Sequence, residues 1–257
     1  MLIVCPICST PAGSYNIELK NMKFYIFKCS NCGLEYTNPI PSDKELEYFY
    51  SNYSNIRANQ DIVIRNAKNN LTKLYNLGLS SKSNILDFGS GAGEFVEIAG
   101  EYCYGVEINN NNNKARIYNN LDDLPIKEFD CITLWGVLEH LNDIKLIMNR
   151  LMDKLKSNGL LIMTTVDSEG NIPYYYKPPE HLTYWTRKSL EILAEYLNTE
   201  IIEYEQYFME QLSEIYLDRL LSRTPEEYKN KIMETKDLLP DIIKIPTNEL
   251  FIVMRKK

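Results

Sequence analysis

The chain has 257 residues, of which 44% are hydrophobic and 25% are charged, and its formal net charge at pH 7 is -7. This composition supports a buried core and excludes an intrinsically disordered protein, and the acidic balance argues against a nucleic-acid partner. The sequence has no run of about 20 apolar residues, and its first residues lack the basic and apolar segments of a secretory signal. We therefore expect a cytoplasmic protein with no membrane insertion.

Four of the six cysteines lie in the first 32 residues as two Cys-x-x-Cys pairs, namely Cys5 with Cys8 and Cys29 with Cys32. Each pair can present two thiolates to one metal ion, and the intervening segment can return the chain to complete a tetrahedral shell. A strand predicted over residues 23–28 leads into the second pair, and Gly33 after it suits a positive φ angle. We predict a zinc ribbon over residues 1–40 with a structural Zn²⁺; a redox switch is the alternative.

Residues 41–80 are predicted to form a helical linker or lid. Pro39 and Pro41 end the ribbon, and Ser42 can cap a first helix. An amphipathic pattern over residues 61–77 predicts a second helix.

Residues 81–257 alternate short apolar runs with amphipathic stretches, which predicts a doubly wound α/β sheet. The predicted strands cover residues 85–87, 104–107, 129–134, 160–166, 201–204 and 249–254. The polar, helix-prone stretch over about residues 208–239 is interpreted as an insertion.

A glycine-rich turn, Asp87-Phe88-Gly89-Ser90-Gly91-Ala92-Gly93, follows the first of these strands. Its glycines allow the backbone to approach a ligand closely. Glu94 stands where a dinucleotide-binding turn needs a small residue, and Asp87 precedes the glycines, so the turn suits a cationic amino group better than a pyrophosphate. Glu107 ends the next strand, where a carboxylate can accept both hydroxyls of a ribose.

In order and spacing, four segments resemble the class I S-adenosylmethionine (SAM)-dependent methyltransferases. They are the glycine-rich turn with Leu86 before it, Gly105-Val106-Glu107, residues 129–141 and residues 155–162. The family usually has Lys-Pro-Gly-Gly at 156–159, where this chain has Lys-Ser-Asn-Gly, and Asn158 tolerates the left-handed conformation of that turn. The ribbon followed by Asn38-Pro39-Ile40-Pro41 is similar to a subfamily in which a zinc ribbon precedes this domain.

The resemblance implies a Rossmann-like doubly wound sheet, SAM as the cofactor and methyl transfer as the activity. The cofactor residues that it implies are Asp87, Gly89, Ser90, Gly91 and Gly93 for the methionyl end, Glu107 for the ribose, Leu121 and Asp122 beside the adenine, Trp135 near the methyl donor, and Tyr50 and Tyr53 as pocket walls. Three alternatives stay open: a plain core position for Trp135, a helix cap for Asp122, and packing for the tyrosines.

A hydroxyl acceptor has a high pKa and needs a general base, and the chain has two histidines. His181 lies in a proline- and aromatic-rich loop after the fifth strand, where the family's acceptor pocket opens, and it is the first candidate. Glu180 beside it and His140 after the fourth strand are the others. The alternative is that all three residues are structural.

Absent motifs narrow the acceptor. The sequence has no Asn/Asp-Pro-Pro-aromatic motif and no Pro-Cys pair after the fourth strand, which disfavours planar amino groups and cytosine C5 as targets. No set of His and carboxylate residues with Mg²⁺-like spacing stands out, so a metal-dependent mechanism is not expected. We expect O-methylation of a small acceptor, such as a sugar, a nucleotide sugar or a phosphorylated or phosphoramidate substituent, in surface glycan, capsule or specialised-metabolite biosynthesis. The alternatives are an RNA methyltransferase that binds its substrate with the ribbon, and a non-catalytic SAM-binding module.

Overall fold

A computed structural model describes residues 3–13, 17–18, 23–51, 59–108, 114–171, 176–234 and 236–257, apart from the side chains of residues 43, 47, 50 and 51. The strands are β1 (Ile17–Glu18), β2 (Tyr25–Lys28), β3 (Glu35–Asn38), β4 (Ile85–Phe88), β5 (Cys103–Val106), β6 (Ile117–Tyr118), β7 (Phe129–Trp135), β8 (Leu155–Val166), β9 (Thr183–Tyr184), β10 (Thr199–Leu212) and β11 (Ile242–Lys256). The α-helices are α1 (Asp43–Ser51), α2 (Gln60–Asn76), α3 (Glu94–Ala99), α4 (Ile144–Lys154), α5 (Arg187–Tyr196), α6 (Ser213–Ser222) and α7 (Glu226–Met233).

The larger sheet has seven strands in the order β10-β11-β8-β7-β4-β5-β6. Strands β4 to β8 are parallel, whereas β11 is antiparallel to both of its neighbours, β8 and β10. The order reverses at β4, and crossovers place helices on both faces, as parallel strands require. This topology confirms the predicted Rossmann-like doubly wound sheet.

Apolar residues on both faces of the central strands explain why this sheet is buried. In β7, Cys131, Ile132 and Leu134 are all fully buried. One face packs with helices α4 and α5, and the other packs with α2 and α3, so the core forms two clusters separated by the sheet. The carboxyl ends of β4, β5, β7 and β8 therefore meet at one edge, where the connecting loops are free to bind ligands.

The two late strands are longer than predicted. Strands β10 and β11 pair from Thr199 with Lys256 to Leu212 with Ile242, so residues 208–212 of the predicted insertion are strand and its helices begin at Ser213. The pairing extends past Glu249, which is level with the end of β8. The insertion thus projects beyond the carboxyl edge of the sheet. Asn66 of α2 anchors it, because its amide accepts from Glu210 N (2.8 Å) and donates to Glu210 O (2.9 Å).

The smaller sheet joins the N-terminal segment to the rest of the chain. Its order is β1-β2-β3-β9, and β9 comes from the loop after β8. Buried residues of the N-terminal segment, including Leu34 and Tyr36, belong to the same core cluster as Leu190 and Leu193 of α5. The ribbon segment therefore shares a core with the large sheet.

Several local predictions are confirmed. Helix α2 covers the segment predicted from the pattern over 61–77, and Ser42 precedes α1, where its hydroxyl donates to a Glu45 carboxylate oxygen at 2.8 Å. Gly33 and Asn158 have φ angles of 76° and 61°, so both adopt the left-handed conformation that the sequence indicated. No helix in the described residues is long and apolar enough to cross a membrane.

Candidate active site

The glycine-rich turn joins β4 to α3 at the carboxyl edge of the sheet. Gly89, Gly91 and Gly93 have φ angles of 76°, 53° and 83°, which L residues with a side chain rarely adopt. A Cβ atom on Gly89 would lie 2.5 Å from Val137 Cγ2, and one on Gly93 would lie 2.3 Å from Ile117 Cδ1. A Cβ atom on Gly91 would meet nothing within 4 Å. The turn is therefore tight on its inner side and open at Gly91, where a ligand can approach the backbone.

Glu107 closes one side of this opening. Gly91 N donates to Glu107 Oε2 at 3.0 Å, and the amides of Gly89 and Ser90 donate to Val106 O at 2.8 and 3.1 Å. The Ser90 hydroxyl is buried and has no hydrogen-bond partner among the described residues. The predicted methionyl and ribose residues thus lie together at one opening.

Asp87 lies beneath the turn and is 2% exposed. Its Oδ1 accepts from the Thr133 hydroxyl at 2.8 Å. The pKa of Asp87 is raised to about 7, chiefly by burial; the hydrogen bond from Thr133 lowers the pKa and the charge of the neighbouring Glu107 raises it, both by less than burial does. A cationic ligand group nearby would favour the carboxylate form.

The residues predicted for the adenine end lie in a short helical turn after β6. Leu121 is buried, whereas Asp122 is exposed and forms an ion pair with Arg150 at 2.9 Å. The Trp135 ring lies between Phe95 and Phe251, with centroid distances of 5.6 and 6.3 Å, so it is partly buried and packs against the core. Its indole N–H is buried without a hydrogen-bond partner in the described part of the chain.

The predicted pocket walls include positions that cannot be placed. Tyr53 lies outside the described residues, as does the side chain of Tyr50. Their assignment stays a prediction.

The three candidate catalytic residues meet on the other side of the β7 carboxyl end. The rings of His140 and His181 are 4.9 Å apart and nearly perpendicular. His140 Nδ1 lies 2.8 Å from Glu180 O, and His181 Nε2 lies 3.9 Å from Glu180 Oε1. Burial lowers the pKa of both histidines, that of His181 to about 3, so both imidazoles are neutral at pH 7.

A buried carboxyl group, that of Glu139, and a partly buried one, that of Glu249, lie beside these histidines and were missed from the sequence. Glu139 Oε2 accepts from the Thr165 hydroxyl at 2.9 Å, and Glu249 lies close enough to interact with Glu139 and His140. The pKa of each carboxyl group is raised to about 7, chiefly by burial; the charge of Glu180 contributes to the rise at Glu139, and the charge of Glu139 contributes to the rise at Glu249. The sequence signal for Glu249 is that it is the first residue, and an acidic one, of the otherwise apolar strand predicted over residues 249–254.

The sequence showed no His and carboxylate set with Mg²⁺-like spacing, but the fold brings together a different set, with one carboxylate and two imidazoles. Glu139, His140 and His181 each offer a ligand atom, and these atoms lie within 4.8 Å of one another. The set was hidden because the loop that carries His181 is far from Glu139 in sequence. Leu182 N donates to Glu139 O at 2.7 Å and holds the loop there.

The ribbon holds the same loop from its other side. The Thr37 side chain donates to His181 O at 3.2 Å, and its amide donates to Leu182 O at 2.8 Å. At the far end of β9, the Thr186 hydroxyl donates to Cys32 O at 2.7 Å. The backbone of His181 is therefore fixed by β3.

The four ribbon cysteines converge on one point. The Sγ–Sγ distances are 3.6 Å for Cys5 and Cys32, 3.4 Å for Cys8 and Cys29, and 3.7 Å for Cys8 and Cys32. Around a tetrahedral Zn²⁺ with bonds of about 2.3 Å, sulfur atoms lie about 3.8 Å apart. The donor set and its spacing fit a closed structural zinc site.

A family model described as a methyltransferase domain matches residues 56–204, which include the glycine-rich turn, Glu107 and all three candidate catalytic residues. The chain belongs to this methyltransferase family. Together with the strand order, the match confirms that the chain is a class I SAM-dependent methyltransferase, as the sequence motifs indicated. No curated protein matches the methyltransferase.

Solved structures share the fold of the methyltransferase at low sequence identity. The 1,6-didemethyltoxoflavin N1-methyltransferase of Burkholderia thailandensis is 15% identical, with a TM-score of 0.54 over 93% of this chain and 98% of that chain. SAM-dependent methyltransferases of Archaeoglobus fulgidus (21% identity, TM-score 0.47, 74% and 94% of the two chains) and Clostridium acetobutylicum (12%, 0.48, 83% and 98%) are further matches.

Proposed function

We propose that this methyltransferase uses SAM to methylate an oxygen atom of a small acceptor in the cytoplasm. The observation that carries the proposal is the position, at one sheet edge, of an open glycine turn with Glu107 and of a partly buried histidine pair. The first group suits the cofactor, and the second suits an acceptor whose proton must be removed. The Burkholderia structure, which contains 1,6-didemethyltoxoflavin and S-adenosylhomocysteine, supports a small acceptor for this fold.

On the cofactor side, the described residues fit SAM. The open space at Gly91 admits the methionyl end, Asp87 offers a carboxylate to its amino group, and Glu107 offers a second carboxylate to the ribose hydroxyls. Leu121 and Asp122 flank the adenine, with Trp135 on the methyl side, and Tyr50 and Tyr53 remain candidates for the wall. SAM supplies a methyl group that is already activated by its sulfonium sulfur, so the protein's task is alignment and exclusion of water.

On the acceptor side, His181 is the proposed general base. Its imidazole is neutral, so a lone pair is available for the acceptor's proton. Glu180 Oε1 lies 3.9 Å from Nε2 and can stabilise the imidazolium as it forms, and His140 packs against the ring. A base of this kind is needed for a sugar-type hydroxyl, which supports a sugar, nucleotide sugar or phosphorylated acceptor from surface glycan, capsule or specialised-metabolite biosynthesis.

The N-terminal 80 residues have proposed roles in supporting the active site. Residues 1–40 form the zinc ribbon that holds the acceptor loop, and residues 41–80 form a lid or linker on the cofactor side. Gln60 at the start of α2 lies 3.4 Å from Glu94 at the start of α3, next to the glycine turn, which supports the lid assignment.

Replacing His181 with alanine is expected to lower kcat by about 100-fold or more, which is the usual contribution of a positioned base. The affinity for SAM should not change, because His181 lies on the acceptor side. The measurement is S-adenosylhomocysteine release with a panel of nucleotide sugars and phosphorylated sugars, with SAM affinity from calorimetry as the internal control. Wild-type turnover in the variant would remove His181 as the base.

The ionic strength dependence separates this proposal from RNA methylation. An RNA acceptor would make the activity fall steeply with salt, because counterions compete for the phosphate contacts. Activity on a small acceptor with one or two phosphate groups should depend much less on salt between 50 and 200 mM, because few phosphate contacts are involved. A methyl transfer that needs RNA and disappears at high salt would contradict the proposal.

A further inference from the structure

The acceptor side carries a set of metal-ligand atoms distinct from the ribbon cysteines. Glu139 offers a carboxylate oxygen, and His140 and His181 each offer an imidazole nitrogen, all within 4.8 Å of one another. The distance from Glu139 Oε1 to His140 Nε2 is 4.0 Å. Ligands on one transition-metal ion, with bonds of about 2.0–2.2 Å, lie roughly 3–4 Å apart. Small side-chain rotations therefore bring the three atoms to coordination distance.

Contacts behind these atoms orient them as metal ligands. A carbonyl oxygen only accepts hydrogen bonds, so His140 Nδ1, at 2.8 Å from Glu180 O, carries the ring proton. This leaves the His140 Nε2 lone pair directed towards Glu139. The other oxygen of Glu139 is held by the Thr165 hydroxyl at 2.9 Å. A histidine that donates its second N–H to a carbonyl, and a carboxylate held by a hydroxyl, are the usual outer contacts of metal sites.

His181 contributes an independent observation. Its Nδ1 is buried and has no hydrogen-bond partner among the described residues. A buried polar atom without a partner is costly and calls for a ligand. The backbone of His181 is held by Thr37, so the ring is delivered to the cluster by a fixed segment.

The charges around the cluster favour a cation. The carboxyl groups of Glu139, Glu180 and Glu249 lie near His140, and Glu180 also lies near His181. Lys177 is a cation that interacts with both histidines. The site therefore has more acidic than basic groups, and a bound divalent ion would favour the carboxylate forms.

We propose that Glu139, His140 and His181 form a second metal site, which binds a divalent transition-metal ion such as Zn²⁺. Two nitrogen donors and one oxygen donor suit zinc and its neighbours and disfavour Mg²⁺ and Ca²⁺, which prefer oxygen. The proposal rests on the proposed function in one respect: the ion binds the lone pair of the His181 imidazole, which is the proposed base. Bound metal therefore inhibits methyl transfer.

Metal content tests the site without any assay of activity. Full-length protein is saturated with Zn²⁺, freed of excess ion and analysed by mass spectrometry for zinc per chain. We expect two equivalents for the wild type and one for Glu139→Gln and for His140→Ala, with the ribbon ion retained. Glu94→Gln, an acid at the same sheet edge on the cofactor side, is the matched control and should keep two. Thermal unfolding curves establish that the variants are folded.

One equivalent in the wild type, or two in both Glu139→Gln and His140→Ala, would overturn the site. Activity then separates this inference from the proposed function. Added Zn²⁺ should inhibit the wild type, and a chelator that leaves the ribbon ion in place should restore its activity. This result supports both the second metal site and His181 as the base. Activation by Zn²⁺ at two equivalents keeps the site and rejects His181 as the base. Absence of any methyl transfer rejects the proposed function, while the zinc content still decides the site.

Discussion

Replacement of Asp87 by asparagine is expected to weaken SAM binding by about 100-fold, or about 2.7 kcal/mol. The amide keeps the shape of the side chain and can still accept from the Thr133 hydroxyl, so the change removes little except the negative charge. That charge is buried beneath the glycine turn, where solvent screens it poorly, and it is the group proposed to attract the amino group of SAM. Isothermal calorimetry measures the effect directly.

The pH dependence gives this prediction a second signature. Burial raises the pKa of Asp87 to about 7, so the unliganded protein takes up a proton here as the pH falls through 7. Because the cationic ligand prefers the carboxylate, binding must displace that proton. SAM affinity should therefore fall about tenfold per pH unit below 7 and level off above it. In Asp87→Asn this dependence should be lost.

Asp130 provides the matched control for Asp87. It lies at the opposite end of β7, where its carboxylate accepts from Asn84 N at 2.8 Å and pairs with Lys156 at 2.7 Å. Asp130→Asn should leave SAM affinity within about twofold of the wild type, since its charge is remote from the turn. Equal affinities in wild type and Asp87→Asn would reject the cofactor site as assigned.

The second large effect is expected from Cys29→Ser. Loss of one thiolate should release the ribbon metal, whose binding contributes about 10–16 kcal/mol to small zinc domains. Because β3 pairs with β9 and Thr37 holds the His181 backbone, the unfolded ribbon should also release the acceptor loop. We expect metal content to fall, the melting temperature to drop by more than 10 °C (roughly 2–4 °C per kcal/mol in domains of about this size), and kcat to fall sharply.

Cys103→Ser separates metal loss from a general effect of losing a thiol. Cys103 is buried in β5, outside the ribbon, and its replacement should lower stability while metal content stays unchanged. If Cys29→Ser retains the full metal content, the thiolate site is wrong. If it loses the metal but keeps wild-type kcat, the ribbon does not position the acceptor loop.

Much of the fold could be predicted because its signals are local. The glycine turn, the capped helices and the apolar strands each depend on residues within a few positions of one another, and the ordered motifs then indicated the strand order. The left-handed conformation of Asn158 could also be predicted, because it depends on the residue's own side chain.

The acceptor side could not be predicted in full, because it depends on long-range contacts. Pairing of β3 with β9 and the approach of His181 to Glu139 are set by how the loop after β8 folds back. Glu249 is level with Val166 only because β11 enters the sheet between β8 and β10. The insertion was placed too early because residues 208–212 do not alternate regularly between apolar and polar side chains, and their pairing with β11 compensates for this weak strand pattern.

The position of β11 has a consequence for how the chain is made. Strand β11 follows β8 and β10 in sequence, yet it lies between them in the sheet. Until residues 242–256 have been synthesised, the edge of β8 has unpaired backbone groups, and such edges are prone to pair with other chains. The sheet can therefore close only after β11 has left the ribosome, which is later than the synthesis of residues 56–204, the part that matches the family.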